Sequence, residues 1–221
     1  MEVSILGCGW VGKALRDTLR KKDFKVNCLS KSIKKNLANN LYNCSSLVVA
    51  LPPSTKDYLN IIKLTFENLD NTNLAQVIFL SSISFYKSKD LVIKGEELIK
   101  KLSKDVVILR LGGLMGYDRV AGKYSQNSIV TNGSTNYIYK DDVVSIIAKI
   151  VELKIKNRIY DVVAPIQSTK KIIYKQNAKK FGFKEPHFNS YFEEGLNLNP
   201  NRLCKELNYT FKKSSVLDFW N

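Results

Sequence analysis

The chain has 221 residues, 44% of them hydrophobic, a length and composition able to bury a sizeable core within one domain. No stretch approaches the ~20 apolar residues of a membrane-spanning helix, and a first strand beginning at Val3 leaves no room for a removable signal peptide, so the expected location is cytoplasmic. The net charge of +15 is carried by 29 lysines against 6 arginines scattered along the chain, a pattern that argues against a nucleic-acid-reading stripe and for general attraction to anionic ligands.

Apolar runs alternate with helical stretches, which predicts an α/β fold with a parallel sheet. Strands are predicted at residues 3–6, 25–29, 47–51, 76–80, 106–111 and 158–163. Helices are predicted at 11–21, 54–68, 94–102, 142–153 and 169–181, with a short one near 201–207. Only 17 residues, Ser30 to Ser46, separate the second strand from the third. A parallel crossover alone takes at least ~10 to 12 residues, so no extra strand with its own crossover fits there. The expected sheet is therefore a doubly wound Rossmann type, shortened by one edge strand. The expected organisation is a single domain over 1–221 whose part from about 165 onward forms a reduced substrate lobe.

The first motif is Gly7-Cys8-Gly9-Trp10-Val11-Gly12, set between the strand at 3–6 and apolar residues at helical spacing, Val11, Ala14, Leu15 and Leu19. In this context Gly7 allows the tight turn, Gly9 lets the backbone approach a pyrophosphate, and Gly12 lets helix and strand pack closely. The anion would face the helix N-terminus. Trp10 is expected to pack over the mouth of that site or on a subunit surface rather than to take part in chemistry. About 20 residues on, where an NAD site carries a carboxylate for the ribose, the chain reads Ser30-Lys31-Ser32. A cation between hydroxyls suits a 2′-phosphate, so NADP(H) is expected in preference to NAD(H). Leu51, Pro52 and Pro53 end the next strand in a stiff loop expected beside the adenosine half.

Cys8, Cys28, Cys44 and Cys204 form no Cys-x-x-Cys pair, and with His187 as the sole histidine they make a poor zinc set. They are read as reduced packing residues, with no metal site, and His187 as structural. Asp141-Asp142 opens a helix and is read as its cap rather than as a paired acid/base site.

Four later segments strengthen the glycine motif: Val77-Ile-Phe-Leu-Ser-Ser-Ile-Ser-Phe-Tyr86, Val107-Ile-Leu-Arg-Leu-Gly-Gly-Leu-Met-Gly-Tyr-Asp-Arg119, Asn136-Tyr-Ile-Tyr-Lys-Asp-Asp-Val143 and Arg158-Ile-Tyr-Asp-Val-Val-Ala-Pro165. The tail Asn201-Arg-Leu-Cys-Lys-Glu-Leu-Asn-Tyr209 fits as well. Together, in this order from residue 3 to about 211, they resemble the extended and atypical short-chain dehydrogenase/reductase superfamily, the sugar-nucleotide epimerase/dehydratase relatives. The resemblance implies an NAD(P)-binding domain in which Ser82 carries the active-site hydroxyl and Ser81 lies beside the cofactor. It also implies that Ser84 contacts substrate, that Gly112 and Gly113 pass beside the nicotinamide, and that Arg119 meets a substrate phosphate.

One family feature is missing. These enzymes place Tyr-x-x-x-Lys at the start of the next helix, where the lysine lowers the phenol's pKa so that it exchanges a proton with substrate. Aligning Glu96-Glu97-Leu98 with the family helix puts Ser88 and Val92 in those places. Tyr86 with Lys89 or Lys94 is the nearest substitute, and Tyr209 to Lys213 in the tail is read as coincidence. The expected function is an NADP(H)-dependent oxidoreductase or epimerase relative with a non-standard active site. Its substrate would be a small molecule, a sugar nucleotide or carbonyl compound, phosphorylated if Arg119 is an anion site. Neither membrane nor nucleic acid is an expected partner, and a homodimer is compatible with the family. The alternative is a non-catalytic NADP(H)-binding sensor or scaffold.

Overall fold

Five short apolar segments supply most of the central sheet in the computed structural model, which describes residues 1–29, 43–69 and 73–220. The strands are β1 (Glu2–Leu6), β2 (Lys25–Leu29), β3 (Ser46–Val49), β4 (Gln76–Ser82) and β5 (Val106–Leu111), joined later by β9 (Arg158–Val162). The order is β2-β1-β3-β4-β5-β9. From β2 to β5 each neighbouring pair runs parallel. All residues of β3 and β5 are buried, which is why their sequences read as continuous apolar runs rather than alternating ones. Among the described residues β2 is the edge on its side; most of the stretch between β2 and β3, where the shortened sheet is expected to lack a strand, lies outside them.

The helices are α1 (Trp10–Arg20), α2 (Tyr58–Asn68), α3 (Asp90–Leu102), α4 (Lys140–Glu152), α5 (Lys170–Phe181) and α6 (Asn201–Leu207). Two begin away from the predicted residues. α2 starts at Tyr58 rather than Ser54, because Thr55 N–H closes a turn on the Pro52 carbonyl at 2.9 Å and Asp57 sits at φ +59°. α3 starts four residues earlier than predicted, after Ser88 turns the chain at φ +53°.

Four strands were not predicted: β6 (Gly113–Met115), β7 (Ile129–Gly133), β8 (Tyr137–Tyr139) and β10 (His187–Glu193). They pair as β6 with β8 and β10 with β7. β6 and β8 are three residues each, too short for any period, and β10 is mostly exposed, so neither carries an alternating pattern.

The chain divides into two compact units, Met1–Leu111 with Val144–Tyr160, and Gly112–Val143 with Asp161–Asn221. The first has a core of Leu6, Val49, Ile62, Phe66, Phe79, Ile99 and Ile108. Gln76 is buried in it, its amide donating to the Ile150 and Ile155 carbonyls at 3.0 and 2.7 Å while Ser46 donates to its oxygen. The second unit has its own core of Met115, Ala164, Ile173, Val216 and Phe219. No helix among the described residues is long and apolar enough to cross a membrane.

Asp142 corrects the capping reading. It lies in the first turn of α4, but its carboxylate accepts from Tyr209 hydroxyl at 2.7 Å and from the Lys212 and Lys213 backbone N–H groups at 2.7 and 3.2 Å. It therefore fastens the C-terminal segment. Burial raises its pKa above the ordinary carboxylate value, against the opposing pull of these bonds. Asp141 likewise accepts from Tyr117 hydroxyl, at 2.9 Å. Tyr209 is thus occupied structurally, in keeping with the coincidental reading of Tyr209 to Lys213.

Candidate functional site

Gly7 ends β1 at φ +96°, a conformation that L side chains rarely adopt. A Cβ there would also lie 2.8 Å from the Ala50 carbonyl oxygen. Gly9 N–H closes the turn on Gly7 O at 2.8 Å, and Lys13 N–H then starts the helical ladder on Gly9 O. At Gly12 a Cβ would overlap the Gly7 carbonyl oxygen and lie 3.3 Å from Ile5, so this glycine sets the distance between helix and strand. Gly9 is different: nothing lies within 4 Å of where its Cβ would be. No side chain caps α1 either. The turn therefore presents an open face backed by the positive end of an 11-residue helix. Val11 is buried in this turn and Trp10 is half-buried. Leu51 is buried, Pro52 exposed and Pro53 half-buried in the loop after β3. Ser30, Lys31 and Ser32 lie outside the described residues.

Two of the four cysteines are not the reduced packing residues expected. Cys8, inside the glycine turn, is joined to Cys28 of β2 by a disulfide with Cα atoms 5.8 Å apart. Sequence spacing gave no sign of it, because the pairing arises from the parallel register that sets Ile5 beside Cys28. Cys44 is buried and Cys204 half-buried, neither bridged. Among the described residues no group of three His, Cys, Asp or Glu is placed to hold a metal ion.

At the C-terminal end of β4 the adjacent serines point to different tasks. Ser81 is buried and donates to Glu96 at 2.7 Å. Glu96, fully buried on α3, is held by Arg110 of β5 through two bonds, Nε to Oε1 at 2.9 Å and Nη2 to Oε2 at 2.8 Å. The guanidinium lies 3.5 Å from the Phe85 ring centroid and 4.8 Å from that of Tyr86. Burial opposes the Arg110 charge, but its bonds to Glu96 outweigh that and its pKa is raised. Neither Glu96 nor Arg110 was singled out from the sequence. The signal was there: a lone arginine inside the apolar strand Val106-Val-Ile-Leu-Arg110-Leu requires a buried carboxylate.

Ser82 is half-buried, and its hydroxyl both accepts from Ser84 N–H and donates to Ser84 Oγ, each at 3.1 Å. It thereby caps the short 3-10 turn Ile83–Lys87 that carries Ser84, Phe85 and Tyr86. The Glu96 pair beneath anchors this strand end to α3. In the second unit, Gly112 N–H donates to Val162 O and Gly113 N–H to Asn136 O, and a Cβ on Gly113 would strike the Tyr137 ring. Arg119 is exposed and closes a tight turn with Gly116 through two backbone bonds.

No protein-family model matches the sequence. Protein YeeZ of Escherichia coli strain K12 is 23% identical over 263 residues, spanning 96% of this chain and 96% of that protein. Among solved structures, a Methylobacillus flagellatus protein assigned to the NAD-dependent epimerases/dehydratases superposes with a TM-score of 0.80 at 20% identity, over 99% of this chain and 96% of that one. The UDP-glucuronic acid 4-epimerase of Bacillus cereus, in complex with NAD, gives 0.77 at 15% identity over 99% and 95%. Human epimerase family protein SDR39U1, with NADPH, gives 0.73 at 14% identity over 98% and 96%. The chain has the epimerase/dehydratase fold. In this fold the sequence alignment assigned Ser88 and Val92 to the positions of tyrosine and lysine, and the structure shows Ser88 exposed at a left-handed turn and Val92 only 6% exposed.

Proposed function

We propose that the chain binds a nicotinamide dinucleotide on its glycine turn, NADP(H) in preference to NAD(H), and acts as an oxidoreductase or epimerase on a sugar nucleotide or small carbonyl compound. The carrying observation is the open face at Gly9 above an uncapped helix N-terminus, which fits a pyrophosphate and little else. Gly7 and Gly12 hold the turn in shape, while Gly9 gives the phosphates access to backbone N–H groups. The solved structures of this fold with NAD and with NADPH support the ligand class, and Lys31 between two serines supports the 2′-phosphate.

When bound, the nicotinamide supplies hydride transfer to or from a carbon bearing oxygen. Ser82 is the residue proposed to hold that oxygen: its hydroxyl proton, donated to Ser84 Oγ at 3.1 Å in this structure, would turn to the substrate oxygen. Ser81 supports the same strand end from below through Glu96. A buried valine at residue 92 cannot assist a proton transfer, so the exchange is assigned to water or to another group, with Tyr86 and Lys89 or Lys94 the nearest substitutes in the sequence. Gly112, Gly113 and Arg119 remain candidates from the second unit, Arg119 for a substrate phosphate.

The test is calorimetric titration of cofactor-stripped protein with NADPH and then NADH, followed by NADPH oxidation across a panel of carbonyl compounds and sugar nucleotides. Binding with NADPH preferred, and turnover with at least one compound that is lost in Ser82→Ala, is the expected result. Equal affinity for both dinucleotides would remove the role of Lys31. Tight binding without turnover would return the protein to a sensor or scaffold.

A further inference from the structure

The disulfide joins two parts of the proposed dinucleotide site. Cys8 lies between Gly7 and Gly9 in the turn, and Cys28 is the next-to-last residue of β2, the strand whose end carries ribose contacts in dinucleotide sites. We propose that Cys8 and Cys28 are a reversible redox pair, exchanging with small thiols and disulfides of the glutathione class, and that closing the bridge tightens dinucleotide binding. The inference rests on reading the glycine turn as the dinucleotide site.

Three features of the structure support it. Both cysteines are half-buried, Cys8 beside the exposed Gly9 in the chain, whereas Cys44 is sealed in the core at 1% exposure. The bridge is also not needed to hold its elements together. β1 and β2 already pair over five residues in register, and the turn is closed by the Gly9 to Gly7 bond. Opening the bridge therefore leaves the fold intact and removes one covalent tie on the turn. Finally, no side chain caps α1 and, its chain neighbours apart, nothing lies within 4 Å of where a Gly9 Cβ would be, so the bridge adds a covalent tie at the open side of the turn beyond the Gly9 to Gly7 bond. With the bridge closed, a pyrophosphate meets N–H groups already in place. With it open, the ligand must order them, which lowers affinity.

The chemistry balances without a further reagent. One cysteine thiolate attacks a sulfur of glutathione disulfide, forming a mixed disulfide and expelling one glutathione thiolate. The second cysteine thiolate then attacks the protein-bound sulfur, forming the Cys8–Cys28 bond and expelling the second glutathione. Two protein thiols and one glutathione disulfide thus become one bridge and two glutathione molecules. Because linkage is reciprocal, whatever factor the bridge adds to dinucleotide affinity, bound dinucleotide adds to bridge formation.

The full chain carrying Cys204→Ser is equilibrated without oxygen in glutathione buffers of graded ratio, with and without saturating NADPH. The fraction bridged between Cys8 and Cys28 is read by alkylation and peptide mass, and NADPH affinity is measured on the oxidised and reduced forms. The expected result is about threefold to tenfold tighter binding to the oxidised form, and a shift of the glutathione midpoint toward more reducing ratios by the same factor. Cys8→Ser and Cys28→Ser, checked for folding by circular dichroism, should bind like the reduced protein at every ratio. Equal or weaker binding by the oxidised form, or Cys8 and Cys28 alkylated at every ratio, overturns the inference alone. A bridge that opens and closes while neither form binds NADPH or NADH overturns the reading of the turn, and the inference with it.

Discussion

Alanine at Gly9 and at Gly12 should separate the two jobs assigned to the turn. At Gly12 the added Cβ overlaps the Gly7 carbonyl oxygen and sits 3.1 Å from its carbon, with both partners on backbone that cannot rotate away. Relief requires α1 and the turn to part by on the order of 1 Å, and overpacking of this kind costs about 1–3 kcal/mol. The alanine recovers about 1 kcal/mol of helix propensity. Because both obstructing atoms are backbone, the cost lies in the upper part of that range, about 2–3 kcal/mol, so the net loss is about 1–2 kcal/mol and the melting temperature falls by about 2–8 °C for a chain of this size. At Gly9 nothing beyond its chain neighbours obstructs the Cβ, and the backbone, at φ −84° and ψ −143°, lies outside the extended region, a strain of about 1–3 kcal/mol offset by about 0.4–1 kcal/mol from the lower entropy of the unfolded alanine chain. Gly9→Ala should therefore melt within several degrees of the wild type. It should nonetheless lose about 10- to 150-fold in NADPH affinity, the equivalent of one charge-assisted hydrogen bond of about 1.5–3 kcal/mol. Differential scanning calorimetry and isothermal titration on the two variants measure both quantities. Undiminished NADPH binding by Gly9→Ala would mean that the pyrophosphate does not lie on this turn, and wild-type melting by Gly12→Ala would refute the close-packing argument.

Three further outcomes are expected. Glu96→Gln leaves the Arg110 guanidinium buried without its counter-charge and should cost about 3–5 kcal/mol in urea unfolding, whereas Glu96→Leu with Arg110→Met should recover most of that; a loss below about 1 kcal/mol would show the pair is not desolvated. Asp142 has a native pKa above its unfolded value, so the stability it contributes is full below pH 3.8 and is lost as pH rises through the native pKa. The stability difference between wild type and Asp142→Asn should accordingly fall across that window and stay flat above it, and a difference that rises with pH would reverse the assignment. Ser82→Ala removes a hydroxyl bonded to Ser84, so dinucleotide affinity should stay within about twofold while turnover drops about 100-fold or more, as for loss of a positioned hydrogen-bond donor; parallel losses of binding and turnover would place Ser82 under the cofactor instead.

What the sequence determined by itself was local. The apolar runs of β3 and β5 read as continuous because every residue in them is buried in the sheet, while β2 and β9 are partly exposed. The glycine turn is legible because each glycine answers a steric need within a few residues, Gly7 for its positive φ and Gly12 for its approach to Gly7. The lone Arg110 in an apolar strand was readable as well, since it calls for a buried carboxylate, which Glu96 supplies.

Only the tertiary structure decided the rest, since it depends on which distant segments become neighbours. Parallel register brings Cys28 to Cys8, and the return of the tail brings Lys212 and Lys213 to Asp142. Neither pairing leaves a trace in local periodicity. The short strands β6 and β8 exist because they find each other, as their three residues each carry no pattern of their own. Ser81 and Ser82 look alike in the chain, and only the alternation of a strand end sends one to a buried carboxylate and leaves the other to cap the turn that follows.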